Sequence, residues 1–194
     1  MASEGAWTAA QQEHDVALRE FLDVVRAASP DRWLLPYADG KWSPAEEALH
    51  VALAYELGIA AAGGGESMQL RVSRPVAALS RWFILPVVLR TRRFPGGAVA
   101  PREVRPSREE ALALSADAVS ARISTRAAAT VQRLREADRS NPKLRVMHAY
   151  FGPLRPLITL RLLNAHTLHH ARRLAARSLS AASPRASATP RPTT

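Results

Sequence analysis

Three histidines fall within five residues in the run His166-Thr167-Leu168-His169-His170. On a helix, residues four apart lie one turn up the same face, close enough to chelate a single ion. His166 and His170 have that spacing, whereas His169 sits three residues from His166 and competes for the role. Spacing alone does not choose between them. Leu163 and Leu174 continue the His166–His170 line, so that line faces a core. Imidazoles turned into a protein interior need partners for their ring nitrogens, or each costs roughly 1–3 kcal/mol of desolvation. A divalent cation satisfies both rings at once, and a third ligand from a facing helix closes a triangular face. His50, in the middle of an earlier helical stripe, is the natural third donor.

Three neutral imidazoles leave an ion its full positive charge and open coordination positions. Such a centre lowers the pKa of a water or a thiol and generates a nucleophile near neutral pH. Two chemistries follow, hydrolysis or transfer through a low-molecular-weight thiol. No general base stands out. Arg172 and Arg173 could hold an anionic substrate, although a solvated helix face is the simpler reading. Glu46, one turn before His50, could orient its ring, but a helix cap accounts for it without a metal. His14 lies on an apolar stripe near a helix start and is expected to be half exposed. His148 falls in a loop with no derivable role.

The elements that must position these residues read as helices. The first is expected over 8–28, with His14, Leu18, Phe21, Leu22 and Val25 on one stripe. Ser29-Pro30 ends it. The second opens on Ser43-Pro44-Ala45-Glu46, a serine cap, a proline at the first helical position and a glutamate at the third. Trp42 is placed to staple against its first turns. This helix is expected to stop at Gly63-Gly64-Gly65, with Glu46, His50, Leu53 and Leu57 on one face.

Residues 66–106 read as a long crossover with one or two short helices, broken at Pro86 and turning at Arg92-Arg93-Phe94-Pro95-Gly96-Gly97. A third helix is expected from Ser107, with Glu110 completing a second capping box, through Ala137. Its stripe comprises Leu112, Ala116, Val119, Ile123, Ala127, Thr130 and Leu134. The last helix is expected over 154–178. Four long helices define an all-α four-helix bundle over residues 1–178, followed by a disordered Ser-, Ala- and Pro-rich tail over 179–194.

Composition agrees with one helical domain. The chain has 194 residues, 47% of them hydrophobic, and only 9 glycines, too few for a many-turned β fold. Of 27 basic residues only Lys41 and Lys143 are lysine, and the formal net charge is +10. The charge is uneven, because residues 71–108 hold nine arginines against the single acid Glu103. With no recognition-helix motif or aromatic stacking platform, specific nucleic-acid binding is not expected. An anionic membrane surface stays open, since Trp82-Phe83 lies among the arginines. The absence of cysteine excludes disulfides and thiolate ligands. The apolar run Trp82–Leu89 is eight residues, too short to span a bilayer. With no signal-peptide pattern at the start, a cytoplasmic location is expected.

Gly40-Lys41-Trp42-Ser43-Pro44 followed by His50, together with the closing His166-x-x-His169-His170, resembles the DinB-like superfamily of small bacterial four-helix metalloproteins, with its YfiT-type branch of proposed hydrolases. Phe151-Gly152-Pro153 resembles the lead-in of some uncharacterised branches. The resemblance implies His50, His166 and His170 as ligands of zinc, nickel or another divalent ion, with His169 a neighbour. It implies a small-molecule substrate, thiol-dependent transfer or isomerisation using mycothiol or bacillithiol in some members, and a homodimer. Where members often carry a glutamine after the final histidine, this chain has Ala171-Arg172-Arg173, so no role for that glutamine carries over. The competing reading is a non-catalytic bundle whose basic face binds nucleic acid or a membrane surface.

Overall fold

The computed structural model describes residues 2–95 and 99–182. Four long helices carry the fold: α1 (Glu4–Arg26), α3 (Pro44–Ala62), α7 (Ala116–Ser140) and α8 (Pro156–Ala182). Short helices fill the connections, α2 (Pro30–Trp33), α4 (Arg74–Leu79), α5 (Leu85–Thr91) and α6 (Arg108–Leu112). Strands β1 (Val146–His148) and β2 (Gly152–Leu154) form an antiparallel hairpin before α8. Helix α1 packs chiefly on α8, and α3 on α7. The four-helix bundle expected from the periodicity is the observed architecture.

The start of α1 lies earlier than the stripe suggests. Ser3 accepts from the Ala6 amide at 3.3 Å, and Trp7 is buried with its indole donating to Asp138. His14 therefore sits mid-helix rather than near an end, and it is buried, not half exposed. Helix α3 begins at the expected capping box. The Ser43 amide donates to Glu46 at 2.8 Å and the Glu46 amide to the Ser43 hydroxyl at 3.3 Å. Its buried face runs through Ala48, Leu49, Val51, Ala52 and Tyr55, while Leu53 and Leu57 are only partly covered. The reason is position: α3 contacts α7, α8 and the crossover, so it is apolar nearly all round and its periodicity is flat. Gly58 lets α7 come close, since a Cβ there would meet Thr130 Cγ2 at 3.0 Å.

The expected third helix is two helices. It breaks after Leu112, and Ser115 caps α7 by accepting from the Ala118 amide at 3.1 Å. Leu112 is consequently exposed, although the rest of the stripe from Val119 to Leu134 is buried. Ser107 does cap Glu110 at 3.2 Å, but Glu110 turns its carboxylate to Arg122 instead of closing the box. The crossover stays helical through Pro86, unlike the expected interruption. Proline has no N–H to give the carbonyl four residues back. The turn over Ser80–Ile84 widens to a π-helix, and the Leu85 amide donates to the Ser80 carbonyl. Arg92 ends α5 in the left-handed region at φ 54°; Gly96 and Gly97 of the expected turn lie outside the described residues. Helix α8 starts at Pro156 because Leu154 is claimed by β2, and it continues to Ala182 past the expected end. Of the expected tail, residues 183–194 lie outside the described residues.

Candidate metal centre

Helix α3 delivers His50 from one side of the bundle, and α8 delivers His166 and His170 from successive turns. Their Nε2 atoms converge. His166 Nε2 lies 3.0 Å from that of His50 and 3.2 Å from that of His170. One ligand atom from each ring falls within 4.8 Å of the other two, an arrangement that could hold a metal ion. Nitrogens bound about 2.0–2.1 Å from a tetrahedral zinc sit roughly 3.3 Å apart, close to the two distances seen. His169 is not in the group. It is half exposed, with its ring 5.5 Å from that of Phe94.

Partners behind the rings fix their proton positions. His50 donates its Nδ1–H to the Val104 carbonyl at 2.6 Å, and His170 donates its own to Glu47 at 2.7 Å. Both rings are thereby left with an Nε2 lone pair facing the centre. His166 has no such partner, because its Nδ1 is buried without a hydrogen bond. With a proton on Nε2, His166 can serve only one of its two neighbours, and its Nδ1 lone pair is orphaned. With the proton on Nδ1, three lone pairs meet head on. Either arrangement leaves buried nitrogens unsatisfied, and a cation among them relieves that cost. The donor set therefore fits a divalent ion.

Electrostatics keep these rings neutral. Burial pushes His166 and His170 well below the usual histidine range, reinforced by the neighbouring imidazoles. Burial also lowers His50, against the opposing pull of the Val104 hydrogen bond and Glu47. Neutral imidazole is the ligating form.

Glu47 is the principal residue that the spacing of histidines does not reveal. It is fully buried, and besides His170 it takes Arg173 at 3.3 Å and Arg177 at 2.9 Å. Burial raises the pKa of its carboxyl, and the two guanidiniums offset only part of that rise. Arg173 thus faces this carboxylate rather than standing as a free helix face, while Arg172 reaches the Arg92 carbonyl at 3.4 Å. Glu46 is occupied by the cap. The available signal for Glu47 was a second acid directly after the capping Glu46, followed by the apolar run from Ala48 to Tyr55 in which only His50 is polar. Val104 left none, since a backbone carbonyl carries no side-chain signature. Trp42 reaches beyond the first turn of α3, its ring 4.9 Å from that of His50. Phe94 stands edge-on to His166 at 5.8 Å.

Of the three histidines outside the cluster, His14 and His148 have structural partners. His14 Nδ1 donates to the Asn164 side-chain oxygen at 2.9 Å, and Asn164 donates to the Ala10 carbonyl, pinning α1 to α8. His148 Nδ1 accepts from the Tyr150 and Phe151 amides at 3.2 and 3.3 Å, closing the turn of the hairpin.

A helical bundle with three inward imidazoles from two helices defines a recognisable class of small proteins. The chain belongs to the DinB superfamily, whose family model matches residues 13–174. It is also similar to the crystal structure of TT2238, a four-helix bundle protein, at 25% identity and a TM-score of 0.52, over 88% of this chain and 98% of that one. No curated protein matches. No helix among the described residues is long and apolar enough to cross a membrane.

Proposed function

We propose that His50, His166 and His170 ligate one divalent ion, zinc or nickel, and that the protein is a metal-dependent transferase or hydrolase acting on a small molecule. The observation that carries this reading is the pair of Nδ1 hydrogen bonds, His50 to Val104 and His170 to Glu47, which aim two lone pairs at His166. Hydrogen-bonded partners behind ligating imidazoles are the usual companions of a protein metal site. A bound ion supplies Lewis-acid activation of water or of a low-molecular-weight thiol. The chain's own residues do the rest. Glu47 holds His170 in one tautomer and is itself anchored by Arg173 and Arg177. Trp42 and Phe94 pack against the ligand rings and limit water around them.

The test is elemental analysis of full-length protein purified without a histidine tag, followed by assays with thiol cofactors. The reading expects about one divalent ion per chain, lost in His50→Ala and His166→Ala, and thiol-dependent turnover that disappears with it. Protein that stays metal-free after reconstitution contradicts the metal assignment. A stoichiometric ion without turnover on thiol or hydrolytic substrates leaves a metal-binding bundle and removes the enzyme.

A further inference from the structure

Outside the histidine cluster, the most unusual surface is the outer face of the α4–α5 segment. Its inner face is already used: Leu85 and Val88 pack against Phe151, Leu154, Leu162 and Ala165. Yet the outer face is apolar too. Trp82 is 74% exposed, Phe83 69%, Leu79 59% and Val87 56%, with Val76 beside them. A helix apolar on both faces is normally covered on both. Contiguous exposed aromatic and aliphatic groups of this kind mark a contact surface.

Charge selects what covers it. No Asp or Glu occurs from Ser67 to Arg102, while Arg71, Arg74, Arg81, Arg90, Arg92 and Arg93 do. Arg92 is paired with Glu13 and Arg81 donates to the Pro153 carbonyl. Arg74 and Arg90, at the two ends of the segment, are exposed and form no ion pair among the described residues. A second copy docking through the same face would bring like charges together with no acid between them. Lipid satisfies both features at once, apolar chains for the ridge and anionic headgroups for its arginine rim. Tryptophan and phenylalanine on one face with arginine at its edges is the composition of a segment lying in a membrane interface.

We propose that the α4–α5 segment docks the protein on anionic membrane surfaces, inserting Trp82, Phe83 and Leu79 at headgroup level with Arg74 and Arg90 on the phosphates. The inference rests on the exposed ridge alone and holds whether or not the histidine cluster binds an ion.

Flotation of the full-length protein with vesicles tests it. Binding to phosphatidylglycerol–phosphatidylcholine vesicles at low salt is expected, with much weaker binding to pure phosphatidylcholine and a steep loss as salt rises. Trp82→Ser with Phe83→Ser should lower partitioning on the order of tenfold or more. Neutralising Arg74 and Arg90 to Gln should cost about fivefold per residue on anionic vesicles only. Circular dichroism checks that the variants fold. In the unmutated chain, lipids brominated on the acyl chain should quench tryptophan emission, and Trp82→Phe should remove most of that quenching. No flotation at low salt overturns the proposal. So does undiminished binding by the double serine variant, or a dimer that this variant dissolves while vesicles go unbound.

Discussion

His170 donates its Nδ1–H to the fully buried carboxylate of Glu47 at 2.7 Å, across the contact between α8 and α3. One bond therefore orients a cluster imidazole and ties together the two helices that bring the cluster into being. Arg173 and Arg177, further along α8, close on the same carboxylate, so the negative charge is held from three directions.

Removing that carboxylate should separate the two roles. Glu47→Gln keeps the volume but weakens the orientation of His170, and metal affinity should fall about 10–100-fold in a competition titration with a chromophoric chelator. Glu47→Ala leaves the buried His170 Nδ1–H and two partly exposed guanidiniums without their acceptor and should also destabilise the fold by about 1–3 kcal/mol in urea denaturation. Equal metal affinity in Glu47→Gln and the unmutated chain would remove Glu47 from the account.

Metal should stabilise the folded chain, since the cluster exists only when α3 and α8 are packed. At a free zinc concentration 100 times the dissociation constant, linkage adds about 2.7 kcal/mol. A thermal melt should shift upward on adding zinc and return on chelation. Zinc that leaves the melt unchanged means that the ion, if bound at all, does not distinguish folded from unfolded chain.

His148 gives a pH dependence of its own. Burial lowers its pKa to about 4, from an ordinary value of 6.5. The folded state therefore favours the neutral ring, which accepts two amides, and the unfolded state binds the proton more readily. Its contribution is complete above pH 6.5 and drains away as pH falls toward 4, on the order of 3 kcal/mol. His148→Asn, whose amide oxygen can still accept, should flatten that part of the stability profile in urea titrations run between those limits. An unchanged profile assigns the acid sensitivity to other groups.

Ser43 sets where α3 begins and hence where His50 points. Ser43→Ala removes a capping-box hydroxyl that accepts from Glu46 and should cost about 1 kcal/mol in chemical denaturation. A loss within error would mean that packing alone fixes the start of the helix.

The chain's residues revealed what has a periodic or local chemical signature. The capping box at Ser43, the stripe of α1 from His14 to Val25 and the four-residue step from His166 to His170 were all readable because each is a fixed spacing on one helix. What escaped depends on contacts between distant segments. Glu47 finds Arg177 across 130 residues, and the Val104 carbonyl meets His50 across 54. The break between α6 and α7 turns on Ser115, one small polar residue inside an alanine-rich run that reads as continuous helix. The π turn ahead of Pro86 keeps a helix going where proline ordinarily ends one. The hairpin at Val146–Leu154 is too short to show alternation. The buried face of α3 was misread because a helix surrounded on most sides has little polar face to contrast with.

Calorimetric titration of zinc into tag-free, full-length protein and its single-histidine variants tests the central claim most directly. Unmutated chain and His169→Ala should each take up about one ion with similar affinity, whereas His50→Ala, His166→Ala and His170→Ala should each lose roughly 100-fold or more. Uptake that survives the loss of His50 while vanishing with His169, or no uptake by the unmutated chain, would contradict a site built from these three rings.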